Sequence, residues 1–595
     1  MSQSPDIGAE GLVTFTVYSD SKKIKDTFGV ISIYVHKEAN RIGRAELMIT
    51  AGDMPKGDVP ESDDDTFAPG KIIRIEAGYA STESVIFEGL VIGHSIEINS
   101  TSTSLRIDCR DYAFPMTQFR KNRVFETMTE SAAIEKIIGE YSKLSPTVDS
   151  TDATYNTIIQ YHSTDWDFIL SKADASGLVV ITEGGKITVS KPALSGSAVL
   201  TVTYGDSLIS FSGELQAAYQ ASGATAIAWD ATAQALITSD GTQPTLNNQG
   251  DMQPDELAEA VGNKTINLQA TTVPDKAMLK SWADAQLLKT AMGRIRGDVQ
   301  FQGSALAVVG CIIELAGLGK RFNGSAYAGS IKHNIEDGNW ITTVGMGLSP
   351  INITDNPDVS SPAASGLMPG VQGLHIGKVV KINEDPDKEN KIQVEIPLLN
   401  GEKNNVWARL ASFWASSTYG AFFIPDIGDE VVLGFFNDNP SNAVVLGSLY
   451  SSKIAPSTAM TAENYTRSIV TKSKLIMKFD EEKKVITFET PGKNIIEIND
   501  DQKSIKLTDQ NSNKIVMSDS GISIESSKSL TLKAQTGIEI SAGTDINMKG
   551  DTGIAMKGLK IEATADTSFT AKGNAQAELS AAGQVTVKGA IVMIN

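Results

Sequence analysis

From residue 521 onward the chain repeats every eight residues. Apolar pairs split by one intervening residue fall at Ile522/Ile524, Leu530/Leu532, Ile538/Ile540, Ile546/Met548 and Ile554/Met556. One residue is dropped near Gly558, and the count resumes at Ile561/Ala563, Phe569/Ala571, Ala577/Leu579 and Val585/Val587. A period of two within each pair is that of a strand with one buried face. Two modest side chains per unit are too few to offset the ordering of its backbone, so the units must stack. Gly521, Gly537, Gly553 and Gly583 open units in phase, where a corner is expected to need unusual backbone angles. Residues 521–595 hold no proline, one aromatic residue and a net charge of 7 − 7 = 0. That composition suits a narrow rod of continuous hydrogen bonding. Single-chain β-helices repeat at about six or roughly twenty residues. A period of eight instead suits three chains wound together, each supplying one face of a triangular prism. With layers ~4.8 Å apart, ten octads span roughly 50 Å. A single-chain solenoid is the main alternative, and nine matched apolar pairs argue against a disordered tail.

Before the octads, Leu475–Phe479, Val485–Phe488, Ile495–Ile498, Ile505–Leu507 and Ile515–Met517 recur about every ten residues, which extends the rod in a looser form. Residues 374–450 carry five strand-like segments, and Asp385–Asp387, Pro397, Gly420 and Pro425 punctuate them. Five strands in so short a span fit a small Greek-key barrel of OB type. Ser349–Gly373, with four prolines, reads as a linker.

Nearer the N-terminus, Val13–Tyr18, Ile72–Glu76 and Ser104–Asp108 alternate as strands. Glu61–Asp65 is expected to be a solvated acidic turn, since no glycine follows at calcium-loop spacing. Thr127 and Glu130 have capping-box spacing and predict a helix running to Lys143. A second helix is expected at Asp165–Ala175, capped by Ser163 or Thr164 and stopped by Gly177. A third runs from about Pro274 to Arg294, and strands return over 298–347. Segment 221–265, rich in Ala, Gln, Asn, Asp and Thr, is expected to form loops around this helical insert.

The chain has 595 residues, which implies several domains. Its charge of 52 − 71 = −19 argues against non-specific nucleic-acid binding. Two cysteines, Cys109 and Cys311, cannot supply a disulfide framework. No basic, apolar leader opens the sequence, so synthesis in the cytoplasm without a signal peptide is expected. Nucleophile-elbow, zinc-helix and phosphate-loop motifs are missing, and Gly317–Lys320 lacks the flanking residues of the last. The five histidines are scattered, and His162 and His333 read as structural hydrogen-bonding residues. Asp165 and Asp167 face different sides of a helical turn and read as capping groups rather than a catalytic pair. Arg296–Asp298 spells an integrin-type tripeptide at a helix-to-strand junction, which structure and chance explain.

Asp385–Asp387, Trp407/Arg409, the run Ile424–Val431 and Val445–Ser448 occur in an order that resembles the OB domain of VgrG spikes and contractile-phage tail needles. Phe67–Gly70, Gly78/Tyr79, Phe87–Gly89, Gln160/Tyr161, Asp165–Phe168, Lys191/Pro192 and Gly303 resemble the hub of the same family. The likeness is closer to phage-tail-like and extracellular contractile injection systems than to most type VI spikes. It implies a mainly β fold: a hub of two β-barrels with α+β insertions, an OB-fold barrel, and a C-terminal triple-stranded intertwined β-helix. The corresponding segments are hub barrel 1 (1–120), α+β insertion (121–215), hub barrel 2 with helix (216–348), linker (349–373), OB-fold (374–452), connector (453–473) and needle (474–595).

The resemblance further implies a homotrimer that joins tube and baseplate proteins at the hub and meets a target membrane at the needle. A PAAR-type tip protein would cover the apolar end at Ile591, Met593 and Asn595. Trp407, Pro425, Gly428, Asp429 and Gly434 match the OB pattern and are expected to fix its barrel and turns. The prism core would be Ile522, Ile524, Leu530, Leu532, Ile538, Ile540, Ile546, Met548, Ile554, Met556, Ile561, Phe569, Leu579, Val585 and Val587. No catalytic residue, metal or cofactor is expected: only about twenty residues separate barrel from needle, too few for an inserted enzyme. A trimeric adhesin or tailspike binding surface glycans is the competing reading, but it has no reason to contain hub and OB segments.

Overall fold

The structure is a computed structural model that describes residues 3–5, 11–271, 276–399, 401 and 404–594. It falls into two units, Met1–Leu449 and Tyr450–Asn595.

In the first unit the alternating segments assemble into one sheet of thirteen strands. The strands Gly29–Glu38, Arg44–Thr50, Thr103–Arg110, Thr82–Ile98, Ile72–Tyr79 and Val13–Ser19 are neighbours in that order. Their inward residues, including Ile33, Leu47, Ile75 and Ile107, are fully buried in one apolar core. A second core forms around Leu200, Val299, Phe301, Ile313, Ile331 and Val344. The two lobes meet where Ser330–Glu336 pairs antiparallel with Ser32–Glu38. Trp340, from the second lobe's strand Asn339–Met346, packs into the first core and stacks on Tyr79 at 5.5 Å. Gly303 makes room for it, since a Cβ there would lie 2.0 Å from the indole. Leu200–Thr203 and Leu208–Leu215 pair with Ile312–Ala316 and Ile295–Gln302, so this stretch belongs to the second lobe rather than to the helical insertion.

The insertion has its own core around Phe125, Ile134, Ile137, Phe168 and Ile169. Its second helix is Asp165–Ala175: Thr164 caps it by accepting from the Asp167 N–H, and Gly177 follows at φ 69°. The first helix differs from expectation. Thr127 lies at φ 50° within the strand Arg120–Thr129, where cross-strand pairing claims its neighbours. Thr129 is the cap, and the helix covers only Glu130–Ile138 before Gly139 closes it. Glu130 turns away from the cap to Lys172 and Ser176.

Segment 221–265 does not form loops. Gly223–Asp230 is the centre of a three-stranded sheet, flanked by Ala235–Asp240 and Thr265–Ala270. Ala224, Ala226 and Ala228 face Leu279, Ala283 and Leu287 of the helix Lys276–Met292. Small side chains let helix and sheet approach closely, so an alanine-rich strand carries little of the usual β signal. The first two residues of the expected third helix lie outside the described residues. Segment 349–373 is tied down: Asn352 Oδ1 accepts from Gln286 and Lys289, and the Ile353 N–H donates to Asp174.

The strands His375–Lys381, Ile392–Glu395, Asn405–Leu410, Glu430–Phe435 and Ala443–Ser448 close into a five-stranded barrel. Val379, Val394, Ala408, Val431, Leu433 and Val445 fill it.

The second unit begins with a seven-stranded antiparallel meander from Thr466–Val470 to Gly521–Glu525. Beyond it, the described residues 526–594 contain no strand.

Candidate functional site

In the meander, the ten-residue period places two apolar columns on one face. Met477, Phe488, Ile496, Leu507, Ile515 and Ile524 are successive cross-strand neighbours, as are Phe479, Ile486, Ile498, Ile505, Met517 and Ile522. A groove of about 820 Å³ runs along this face, and nothing within the described residues covers it. The side chains from Ile496 to Ile524 on this face remain 36–69% exposed. An open apolar face of this extent marks an assembly surface.

The octads are different. Bends recur at 527, 535, 543, 551 and 559, then at 566, 574, 582 and 590, so the backbone takes the seven-residue step that the sequence takes near Gly558. Exposure keeps the same period. From Leu530 to Met556 the first residue of each pair is 52–57% exposed and the second 65%. Ile522, Ile524, Ile561, Phe569, Leu579, Val585 and Val587 are likewise exposed. A regular segment that forms no strand among the described residues and leaves its apolar pairs this exposed is suited to partners from elsewhere. Gly537, Gly553 and Gly583 lie outside the left-handed region, so the corner angles expected of them are absent; only Gly521 has positive φ, at 119°. Ile591 and Met593 are almost fully exposed, and Asn595 lies outside the described residues.

In the barrel, Gly428 takes φ 100° and its N–H donates to Val379 O. Asp429 accepts from the Asp426 N–H at 2.9 Å, which closes the turn into Glu430–Phe435. Trp407 lies half-buried opposite Gln393, and Pro425 is half-buried beside the turn. Gly434 is not required by packing, because a Cβ there would make ordinary contact with Leu446 at 3.5 Å. The residue that packing does require is Gly377, where a Cβ would lie 2.4 Å from Val394. A glycine in mid-strand was the available signal for it.

The hub pattern also resolves into contacts. Gln160 and Asp165 meet: the amide donates to the carboxylate at 2.8 Å, and Tyr141 Oη at 2.6 Å and Lys121 Nζ at 2.8 Å donate to its other oxygen. Burial pushes the Asp165 carboxyl up, but these donors and the Arg123 charge outweigh it and hold it below the usual carboxylate range. Asp165 thus pins the ribbon of Arg120–Thr129 and Thr154–Thr164 to its helix, and does more than cap. Asp167 does cap, paired with Thr164. His333 is fully buried, with Nδ1 3.0 Å from Thr342 Oγ1, and burial pushes it down to about 3. His162 is exposed, its N–H bonded to Asn122. In the acidic turn, Glu61 accepts from the Gly52 N–H, while Asp64 pairs with Lys25 and caps Thr66. No cluster of three or more His, Cys, Asp or Glu suited to a metal occurs among the described residues.

The family model for the type VI secretion system/phage-baseplate injector OB domain matches residues 375–450, which are the closed barrel. The spike protein VgrG3 of Vibrio cholerae serotype O1 is 33% identical over 89 residues, covering 14% of this chain and 9% of that protein. The actin cross-linking toxin VgrG1 of the same species is 32% identical over 95 residues, covering 15% and 9%. The chain therefore aligns with about a tenth of the length of these relatives. Among solved structures, a prophage MuSo2 43 kDa tail protein from Shewanella oneidensis superposes with a TM-score of 0.43 at 10% identity, covering 57% of this chain and 98% of that one. The closed barrel is thus an OB domain of the type VI/phage-baseplate injector kind, and a short stretch of the chain is similar to VgrG spike proteins. More specifically, the family model for the Alg8 N-terminal domain matches residues 9–337, more than half of the chain, and the chain belongs to that family.

Proposed function

We propose that three copies assemble into the central spike of a contractile injection system, joined through residues 466–594. The observation that carries this reading is the octad segment: a regular backbone, bent every eight residues, with its apolar pairs left exposed. Three such chains wound about an axis would bury the pairs in successive layers and leave no free strand edge. A rod closed in this way transmits axial force without exposing backbone, so sheath contraction can drive it into a membrane.

In this reading the hub meets tube and baseplate proteins, and the exposed apolar run Ile591–Ile594 receives a PAAR-type tip protein. The role is mechanical, without catalysis or cofactor. The chain leaves the cell as part of the particle. The glycan-binding tailspike reading is less favoured, because such shafts display aromatic and carboxylate clusters, whereas residues 521–595 offer only Phe569 among aromatics. Light scattering after size exclusion tests the proposal on the intact chain and on one ending at Val470. A mass near three chains that falls on truncation supports it; a monomeric intact chain overturns it.

A further inference from the structure

Between Arg409 and Asp426 the chain carries no charge for sixteen consecutive residues, in a protein of net charge −19. The segment connects the barrel strands Asn405–Leu410 and Glu430–Phe435 and is folded rather than loose. It is a small hairpin: Ala415 bridges Gly420, the Ala421 N–H donates to Trp414 O at 2.9 Å, and the Ser416 N–H donates to Tyr419 O at 3.1 Å. Ser412 Oγ locks the base by donating to Trp414 O and Ala421 O. Trp414 and Tyr419 meet edge to face at 6.0 Å. This ordered finger nonetheless holds Phe413, Trp414, Tyr419, Phe422 and Phe423 at 56–85% exposure. Aromatic side chains bury on the order of 150–250 Å² each, so five of them approach one side of an ordinary protein interface, about 800 Å². Uncharged, aromatic and pre-ordered is the composition of an interface centre.

A second apolar patch lies on the outer face of the same barrel. Leu374, Ile376 and Leu446 are 46–68% exposed there; Leu374 and Leu446 flank Gly434, and Ile376 lies opposite Val432. The barrel itself has room for a side chain at Gly434, and a Cβ at Gly447 would meet nothing within 4 Å. Gly447 sits at the bulge where Val432 pairs with Gly447 and Leu433 with Val445, whereas Gly434 leaves open space on the outer strand face that another chain can approach.

We infer that the finger of one copy docks on the Leu374–Ile376–Leu446 face of the next copy, a head-to-tail contact that closes into a ring of three. The inference rests on the trimeric reading above and names a contact that the rod does not include. A second copy is the fitting occupant for three reasons. Finger and patch are both apolar, and they are present in equal number. A closed ring satisfies every finger and every patch at once. Only residues 450–465 tether barrel to rod, so three barrels on one rod meet at an effective concentration on the order of millimolar, at which a weak contact is populated.

Phe422→Cys/Leu446→Cys in the full chain tests this with a short bismaleimide, with both single variants as controls and the mass of each sample measured by light scattering. Both positions are exposed, while Cys109 is buried and Cys311 half-buried. The expected result is a mass of three chains and conversion of most single-chain band into covalent dimer and trimer for the double variant alone. A mass of three chains without crosslinks overturns the docking and leaves the trimer standing. Equal crosslinking in the Phe422→Cys single variant also overturns it, because the fingers would then meet one another. A monomeric mass overturns both.

Discussion

Two stretches of the second unit carry the same alternation of apolar residues, yet one pairs with itself and the other does not. In the meander, every reversal between strands has a residue of positive φ, in the turn at Lys474, Lys484, Lys493, Lys503 and Ser512 and at the first residue of the last strand at Gly521. With that residue the chain reverses, and each strand finds its neighbour in the same copy. Among the described residues 526–594 no positive φ occurs, and a bend every eight residues carries the chain onward. The difference is not one of length, since Lys514–Ser518 and Gly521–Glu525 begin only seven residues apart and still pair. It lies in the residue of positive φ that reverses the chain, which the octads lack. The same hydrophobic pattern therefore accompanies a sheet with one open face in the first case and a regularly bent segment without strand pairing in the second.

The largest test of that contrast is Ile538→Asp. In a wound segment it places three like charges in one dry layer, and burial of an unpaired carboxylate is expected to abolish the trimer. Light scattering should then give one chain; a trimeric mass would break the prism at that layer. Ile498→Ala, in the meander, should cost about 2–4 kcal/mol in urea unfolding if the open face is covered on assembly, with the trimeric mass retained. A loss of under about 1 kcal/mol would show that the meander's face stays in water.

Acid should separate the hub from the rod, which holds no histidine. His333 and His36 are pushed down from 6.5 to about 3 and about 4, chiefly by burial. Below pH 6.5 the unfolded chain takes up protons that the folded hub refuses, so stability is lost as pH falls toward 4. Asp111, pushed up to about 6 by burial, acts with the opposite sign between pH 6 and 3.8, and the two histidines outweigh it. Calorimetry of the intact chain should show the hub transition falling over this window while the rod transition stays put. His333→Gln should flatten the slope. The smallest effect belongs to the turns. Lys503→Gly relieves a left-handed residue and should raise meander stability by about 0.5 kcal/mol, read as a small upward shift of its melting midpoint.

The octad period and its dropped residue were legible because they are counted rather than inferred, and backbone bends follow the count through the same skip. The barrel was legible because its strands are short and punctuated by turn residues. The three-stranded sheet at 223–270 was not, because Ala224, Ala226 and Ala228 pack by being small and look like loop composition. The helix cap moved from Thr127 to Thr129 because strand pairing, which spacing alone does not reveal, claims the earlier residues. Trp414, Gly420 and Phe423 could be read as barrel signature, but that they stand on an exposed finger follows only from the fold. The apolar octad residues are periodic in the sequence itself, whereas their burial depends on chains that one sequence does not display.

Hydrogen exchange of the backbone amides at 526–594 in the intact protein tests the central claim most directly. If three copies wind together, these amides are bonded between chains, and every octad should resist exchange for hours while the turns of the meander exchange quickly. Exchange at the rate of a free peptide across the octads would contradict the wound rod.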